Sequence, residues 1–154
     1  MKSIIGIDPG KGGGIAIVYL VDSKHGNKWL AEKCPKTIKE MVTILRMFSH
    51  NSWDFDIECF LESVHAFPTD GRSSAFKFGM NFGIWQGILE ALNIKTTLVT
   101  PQAWQKPYEL SKVKTERKKQ LKEIAKKASG LEKVTLATSD AICIAKHGKE
   151  NYEL

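Results

Sequence analysis

Ser3-Ile4-Ile5-Gly6-Ile7-Asp8-Pro9-Gly10 is the stretch on which the fold turns. It is a short, β-branched apolar run that halts at a carboxylate and a Pro-Gly turn. That pattern reads as a buried central strand delivering Asp8 to the edge of a sheet. A second strand, Gly13 to Tyr19, follows a glycine-rich turn, which predicts a hairpin. Asp8 has a plainer reading as well, because Asp, Pro and Gly all favour turns. The other carboxylates decide between the two.

Outward from the hairpin, a polar turn from Asp22 to Lys28 leads to a third, edge-like strand over Trp29–Lys33. Pro35 breaks the chain, and Thr37 with Glu40 three residues later predicts a capping box. Behind it, Ile38, Met41, Val42, Leu45 and Phe48 recur at helical spacing. After a loop from Asn51 to Asp56, Ile57–Glu62 reads as a fourth strand that again ends on a carboxylate.

Ser73 or Ser74 is the predicted cap of a long helix reaching about Leu92. Gly79, Gly83 and Gly87 recur in it every fourth residue, each costing about 1 kcal/mol of helix propensity. A backbone packed closely on that stripe would offset the cost, and the sheet is favoured over a partner subunit. Lys95–Thr100 is a fifth strand, and Pro101 opens a short helix carrying Trp104. Thr115 opens a basic helix with Leu121, Ile124, Ala125 and Ala128 facing inward, ended by Gly130. Thr138 or Ser139 is expected to cap a last helix with Asp140 in its first turn and His147-Gly148 at its end.

This element order is α/β, with a five-stranded mixed sheet flanked by helices. The chain has 154 residues, 42% hydrophobic and 26% charged, a balance ordinary for a soluble globular protein. Cys34, Cys59 and Cys143 lack any CxxC or Cys/His spacing, which points to reduced thiols in a cytoplasmic setting and no zinc site. No apolar run is long enough for a membrane span, and the first one meets Asp8 too early for a signal peptide. The net charge is +6, and Lys112–Lys133 carries all of it, with nine Lys or Arg against three Glu. A cluster of that kind is a solvated helix face or the footprint of a phosphate-backbone partner.

If the fourth strand lies parallel beside the first, Asp8 and Glu62 stand about 4.8 Å apart at adjacent carboxyl ends. Two carboxylates that close repel unless they share a cation, and hard oxygen ligands select Mg²⁺ or Mn²⁺. Asp140 would supply a third carboxylate, unless it only complements its helix dipole.

Together, Ile7-Asp8-Pro9-Gly10, Leu61-Glu62-Ser63-Val64, Ser74 to Gly79 and Ser139-Asp140-Ala141 resemble the RuvC family of Holliday-junction resolvases, most nearly its phage-encoded branch. The resemblance spans nearly the whole chain. It implies one RNase H-like nuclease domain over residues 1–154, a homodimer, and symmetric nicking of four-way DNA junctions with two Mg²⁺ ions. Carried over by position, Asp8, Glu62 and Asp140 match the catalytic metal ligands. The family's further acid falls at Ala137, so Ser139, Thr138, Glu132 or a water would have to substitute. His147, two turns past Asp140, is an accessory candidate for proton transfer.

The loop after Glu62 resembles the family's junction-probing loop, with His65 or Phe67 available to stack on an unpaired base and Arg72 beside them. Lys106, Lys112, Lys114, Arg117 and Lys118 are the candidate phosphate contacts. Three rival readings remain at this stage. They are a junction-binding protein without catalysis, an actin-like ATPase built on Asp8-Pro9-Gly10, and an RNase H-like nuclease for structured RNA.

Overall fold

The computed structural model describes residues 2–21, 26–49, 56–65 and 68–152. Its strands are β1 (Lys2–Asp8), β2 (Gly14–Leu20), β3 (Lys28–Lys33), β4 (Asp56–Glu62) and β5 (Lys95–Val99). Its helices are α1 (Ile38–Ser49), α2 (Arg72–Ala91), α3 (Pro101–Gln105), α4 (Lys114–Ser129) and α5 (Leu136–Tyr152). The sheet order is β3-β2-β1-β4-β5. The first three strands run antiparallel, whereas β4 lies parallel to β1 and β5 parallel to β4. Among the described residues no helix is long and apolar enough to cross a membrane.

β1 is central and covered on both faces, which is why its sequence is continuously apolar. Ile5, Ile7, Ile17 and Leu61 pack on one side against Met41, Leu45, Trp85 and Leu89 of α1 and α2. Ile4, Val18 and Phe60 pack on the other against Trp104, Leu121, Ala125 and Ile142. On that second side α5 lies directly on the strands. A Cβ added at Gly6 would stand 2.3 Å from the Ala141 carbonyl oxygen and 2.4 Å from the Ala145 nitrogen. Gly14 faces the Ala137 carbonyl oxygen in the same way, at 2.3 Å. Helix and sheet meet backbone to backbone.

Local signals behave as their chemistry dictates at several ends. Thr37 and Glu40 form the capping box, with Thr37 N–H donating to Glu40 Oε2 at 2.9 Å and Glu40 N–H to Thr37 Oγ1 at 3.2 Å. Thr100 Oγ1 accepts from Ala103 N–H at 3.2 Å at the head of α3. Gly130 closes α4 at φ 67°, the left-handed conformation that favours glycine.

Four expectations are corrected. The N-cap of α2 is Gly71, without a side-chain bond, because the helix begins before either serine. Ile38 is exposed, and Ile44 takes the buried place on α1. α5 starts a turn earlier than Thr138, because Thr135 and Thr138 cap each other, Thr135 N–H to Thr138 Oγ1 at 3.0 Å and Thr138 N–H to Thr135 Oγ1 at 3.3 Å. Asp140 therefore sits beyond the first turn, where the helix dipole gives it little. Finally, the glycine stripe of α2 does not meet the sheet. Gly79, Gly83 and Gly87 are exposed, with nothing within 4 Å of an added Cβ.

The contact at Gly6 sets a measurable expectation. Gly6→Ala forces a methyl into α5 backbone that no rotamer can relieve, so it should lower unfolding free energy by about 3 kcal/mol. Urea denaturation followed by circular dichroism measures it; an unchanged midpoint would mean that α5 can lift freely.

Candidate active site

The parallel register of β1 and β4 pairs Ile7 with Leu61, so Asp8 and Glu62 end adjacent strands. Ile7 and Leu61 point to the α1/α2 side, which turns the next residue of each strand toward α5. α5 crosses there and brings Asp140, 7% exposed, over the same edge. The three carboxylates that the sequence singled out share one neighbourhood.

The turn after Asp8 is fixed from three directions. Gly10 N–H donates to Asn81 Oδ1 of α2 at 2.9 Å, and Gly13 N–H donates to the Gly10 carbonyl at 3.1 Å. Gly10 adopts φ 111° with the Phe78 ring against it, a conformation that strains any residue bearing a Cβ. Cys34 donates its thiol hydrogen to the Asp8 carbonyl at 3.2 Å. Burial, and then the Asp8 charge, push that thiol up to about 12, so Cys34 acts as a neutral donor.

The electrostatics are severe. Asp8 is raised from the usual 3.8 to about 8, chiefly by burial, then by the charges of Glu62 and Asp140, with Lys118 opposing. Glu62 is also raised by burial, although the indole N–H of Trp104 donates to its Oε2 at 2.7 Å and works the other way. Asp140 Oδ2 accepts from Lys118 Nζ at 2.7 Å. Burial alone would pull Lys118 down, but Asp140, helped by Asp8 and Glu62, holds its ammonium above the ordinary lysine range.

Hard, desolvated oxygens that repel one another are the donor set that magnesium or manganese suits. Among the described residues, no three His, Cys, Asp or Glu side chains are placed to hold a metal ion as they stand. Glu62 is turned to Trp104 and Asp140 to Lys118, so holding an ion requires those side chains to turn toward it.

The other sequence candidates are dispersed. Ser139 is buried beside Asp140, its single hydroxyl hydrogen shared between the Leu136 carbonyl at 3.1 Å and Asp140 Oδ1 at 3.3 Å. Thr138 is committed to the helix cap, and Glu132 is exposed. His147 lies far along α5 from the acids, edge-on to Phe60 and bonded to Asn151, because α5 runs back down the sheet. Burial lowers its pKa, and none of the three site carboxylates acts on it. It is not part of this cluster.

His65, Arg72, Lys106, Lys112 and Lys114 are exposed, and Phe67 lies outside the described residues. Arg117 donates to the carbonyls of Ser111 and Lys112 at 3.3 and 3.4 Å, latching the loop before α4. Lys118, expected among the phosphate contacts, is instead turned inward onto Asp140.

The bonds of Trp104 to Glu62 and of Asn81 to Gly10 are not marked by any local pattern in the sequence. Lys118 did carry a signal. With Leu121 and Ala125 it falls at i, i+3 and i+7, on the buried face of α4.

The raised Asp8 makes a signed prediction. A group whose folded pKa exceeds its unfolded one stabilises fully below the unfolded value, and that support drains away as pH rises toward 8. Asn mimics the protonated acid, so Asp8→Asn should raise the Tm of chelator-treated protein, and by more at pH 8.5 than at pH 5. Thermal unfolding at the two pH values measures the gain; an equal or absent gain would place Asp8 in water.

No protein-family model matches the sequence, and no curated protein does. Solved structures do match. The structure of RuvC from Thermus thermophilus superposes with a TM-score of 0.69 at 14% identity, over 98% of this chain and 95% of that one. The same organism's RuvC in complex with a Holliday junction substrate gives 0.67 at 13%, over 99% and 96%. The fowlpox virus Holliday junction resolvase gives 0.59 at 15%, over 99% of both chains. With its five-stranded mixed sheet and flanking helices, the chain has the RNase H-like fold that these resolvases share.

Proposed function

We propose that this chain is a metal-dependent endonuclease that resolves branched DNA, with the four-way junction as its substrate. One observation carries the reading: Asp8, Glu62 and Asp140 meet at one buried sheet edge, where their mutual repulsion helps hold Asp8 near 8. Such a cluster is destabilising in itself, and perturbed carboxylates of this kind mark functional sites. The fold shared with a RuvC that was solved on a Holliday junction supports the same substrate.

Asp8, Glu62 and Asp140 would hold magnesium, with manganese able to substitute. Divalent ions bound there would supply an activated water for in-line attack on phosphorus and charge stabilisation for the leaving 3′ oxygen. The chain's own groups do the rest. Trp104 donates to Glu62 Oε2 and holds it until an ion draws it away, and the turn held by Asn81 and Cys34 fixes Asp8. The exposed Lys106, Lys112 and Lys114 would meet backbone phosphates, and His65 and Arg72 are exposed in the segment between β4 and the start of α2. Residues 1–154 act as one nuclease domain in the cytoplasm, in keeping with three free, buried thiols.

A synthetic four-way junction tests the activity. Asp8→Asn should abolish Mg²⁺-dependent nicking, by at least about a thousandfold, while junction binding in a gel-shift assay stays within about threefold. Lost binding with residual nicking would overturn the assignment. Binding without nicking by the natural sequence would identify a junction-binding protein instead.

Two nicks placed symmetrically call for two copies. The exposed row of Phe76, Gly79, Met80, Gly83 and Gly87 on α2 offers a second copy a smooth, apolar face. Gly83→Glu should convert a dimer to a monomer in sedimentation, without loss of helical signal; a natural sequence that sediments as a monomer would count against the dimer.

A further inference from the structure

We propose that Asn81 is a positioning residue that passes the order of α2 to Asp8, because its carboxamide ties the turn behind the acid to the least anchored half of that helix. The inference rests on the nuclease reading above and concerns what regulates its site.

The tie falls at the first place where the backbone can take one. Pro9 has no N–H, so Gly10 N–H is the first backbone donor after Asp8, and it is given to Asn81 Oδ1 at 2.9 Å. Pro9 also locks its own φ and narrows the range open to Asp8, which leaves little slack between the bond and the acid. Gly10 itself is held at φ 111° with the Phe78 ring against it. The bonds that Gly13 and Cys34 make to this turn come from the hairpin side. Among the described residues, Asn81 makes the only hydrogen bond from an α2 side chain to another element.

α2 is anchored unevenly. Its buried residues, Trp85, Ile88 and Leu89, all lie in the second half. From Arg72 to Met80 every residue is exposed except the half-buried Ala75, and the N-cap Gly71 gives no side-chain bond. A cavity of about 360 Å³ lies between that half and the segment after β4, lined by Val64, His65, Ser74, Phe78 and Phe82. Gly79 and Gly83 place weak helix formers in the same stretch, each facing open space. Stretches with so few buried contacts open locally at low cost. Phe78 and Asn81, three residues apart on the inward side, stand where the exposed half joins the anchored one. Opening of the first half therefore reaches Gly10 through them.

Hydrogen exchange of the Gly10 amide, read by NMR on the full chain without DNA or metal, tests this. Asn81→Leu, which fills similar space without an acceptor, should speed that exchange at least about fivefold, what one hydrogen bond contributes. Asn81→Asp still accepts and should hold it near the natural rate. Gly79→Ala combined with Gly83→Ala, made at open positions, stiffens α2 and should slow Gly10 exchange at least about fivefold. The same pair should change nothing once Asn81 is replaced by leucine. On a four-way junction with Mg²⁺, Asn81→Leu should nick at least about fivefold more slowly at saturating DNA, with binding kept within about threefold. Gly10 exchange unmoved by Asn81→Leu, or slowed by the alanine pair whether or not Asn81 is present, overturns the proposal and leaves the nuclease standing. If the exchange pattern holds but the natural sequence nicks no junction, the nuclease reading falls, and the role given to Asn81 with it.

Discussion

The close approach of α5 to the sheet is the constraint on which the rest depends. A helix resting on strands through ordinary side chains keeps its backbone well clear of theirs. Here Gly6 and Gly14 remove the side chains, and the Ala141 and Ala137 carbonyls descend onto the strands. Gly148 completes the seat against Phe60 and Ile4. The short aliphatic run Ala141, Ile142, Cys143, Ile144 and Ala145 is wholly buried as a result. Because α5 lies so low, Asp140, one residue before that run, is delivered to the level of the strand ends where Asp8 and Glu62 finish. A packing decision in the core thereby sets the geometry of the acids.

That geometry has an energetic consequence. Three carboxylates with little water around them oppose folding, and the surrounding donors offset only part of the penalty. Trp104 gives one hydrogen bond to Glu62, and Lys118 gives a charged one to Asp140. Asp8 has no comparable charged partner in direct contact among the interactions described, and it is the group whose pKa is displaced furthest. The repulsion is therefore distributed unevenly, with two acids held by protein donors and the third left to take up a proton. Sites of this kind keep a local instability that the rest of the core must carry.

Much of this was legible from residue types. The succession of strands and helices along the chain, the hairpin at Pro9-Gly10, the capping box at Thr37 and Glu40, and the placement of Asp8 and Glu62 at strand ends all follow from short-range rules. The failures share a physical cause: each depended on which neighbour a face would meet. The row Gly79, Gly83 and Gly87 announces a smooth helix face without saying what covers it, while the glycine that does admit a backbone, Gly6, hides inside an apolar strand. The start of α5 was misplaced because Thr135, Thr138 and Ser139 are all competent caps, and the reciprocal bond with Thr138 selects the first. His147 shares helical periodicity with Asp140, yet periodicity carries no information about distance along the axis; about ten ångströms of α5 separate them. Trp104 reached Glu62 from a helix of five residues, across a sequence separation of 42.

Lys118 shows where composition and position part company. Counted with its neighbours, it is one of many cations on a basic helix, and composition assigns them all to phosphate. The helix, however, has two faces. Its outer lysines are solvated and free to meet a polyanion, whereas the face defined by Leu121 and Ala125 is fixed against α5, and Cys143 donates to the Leu121 carbonyl at 3.7 Å across that seam. A lysine one turn before Leu121 on that face is only partly exposed, and its ammonium finds an anion in the protein. Asp140 is that anion, because the glycines under α5 have set it at the matching height. The pairing thus follows from the packing of α4 on α5 and of α5 on β1, so the charge pattern of the site is fixed by apolar contacts several residues away from it.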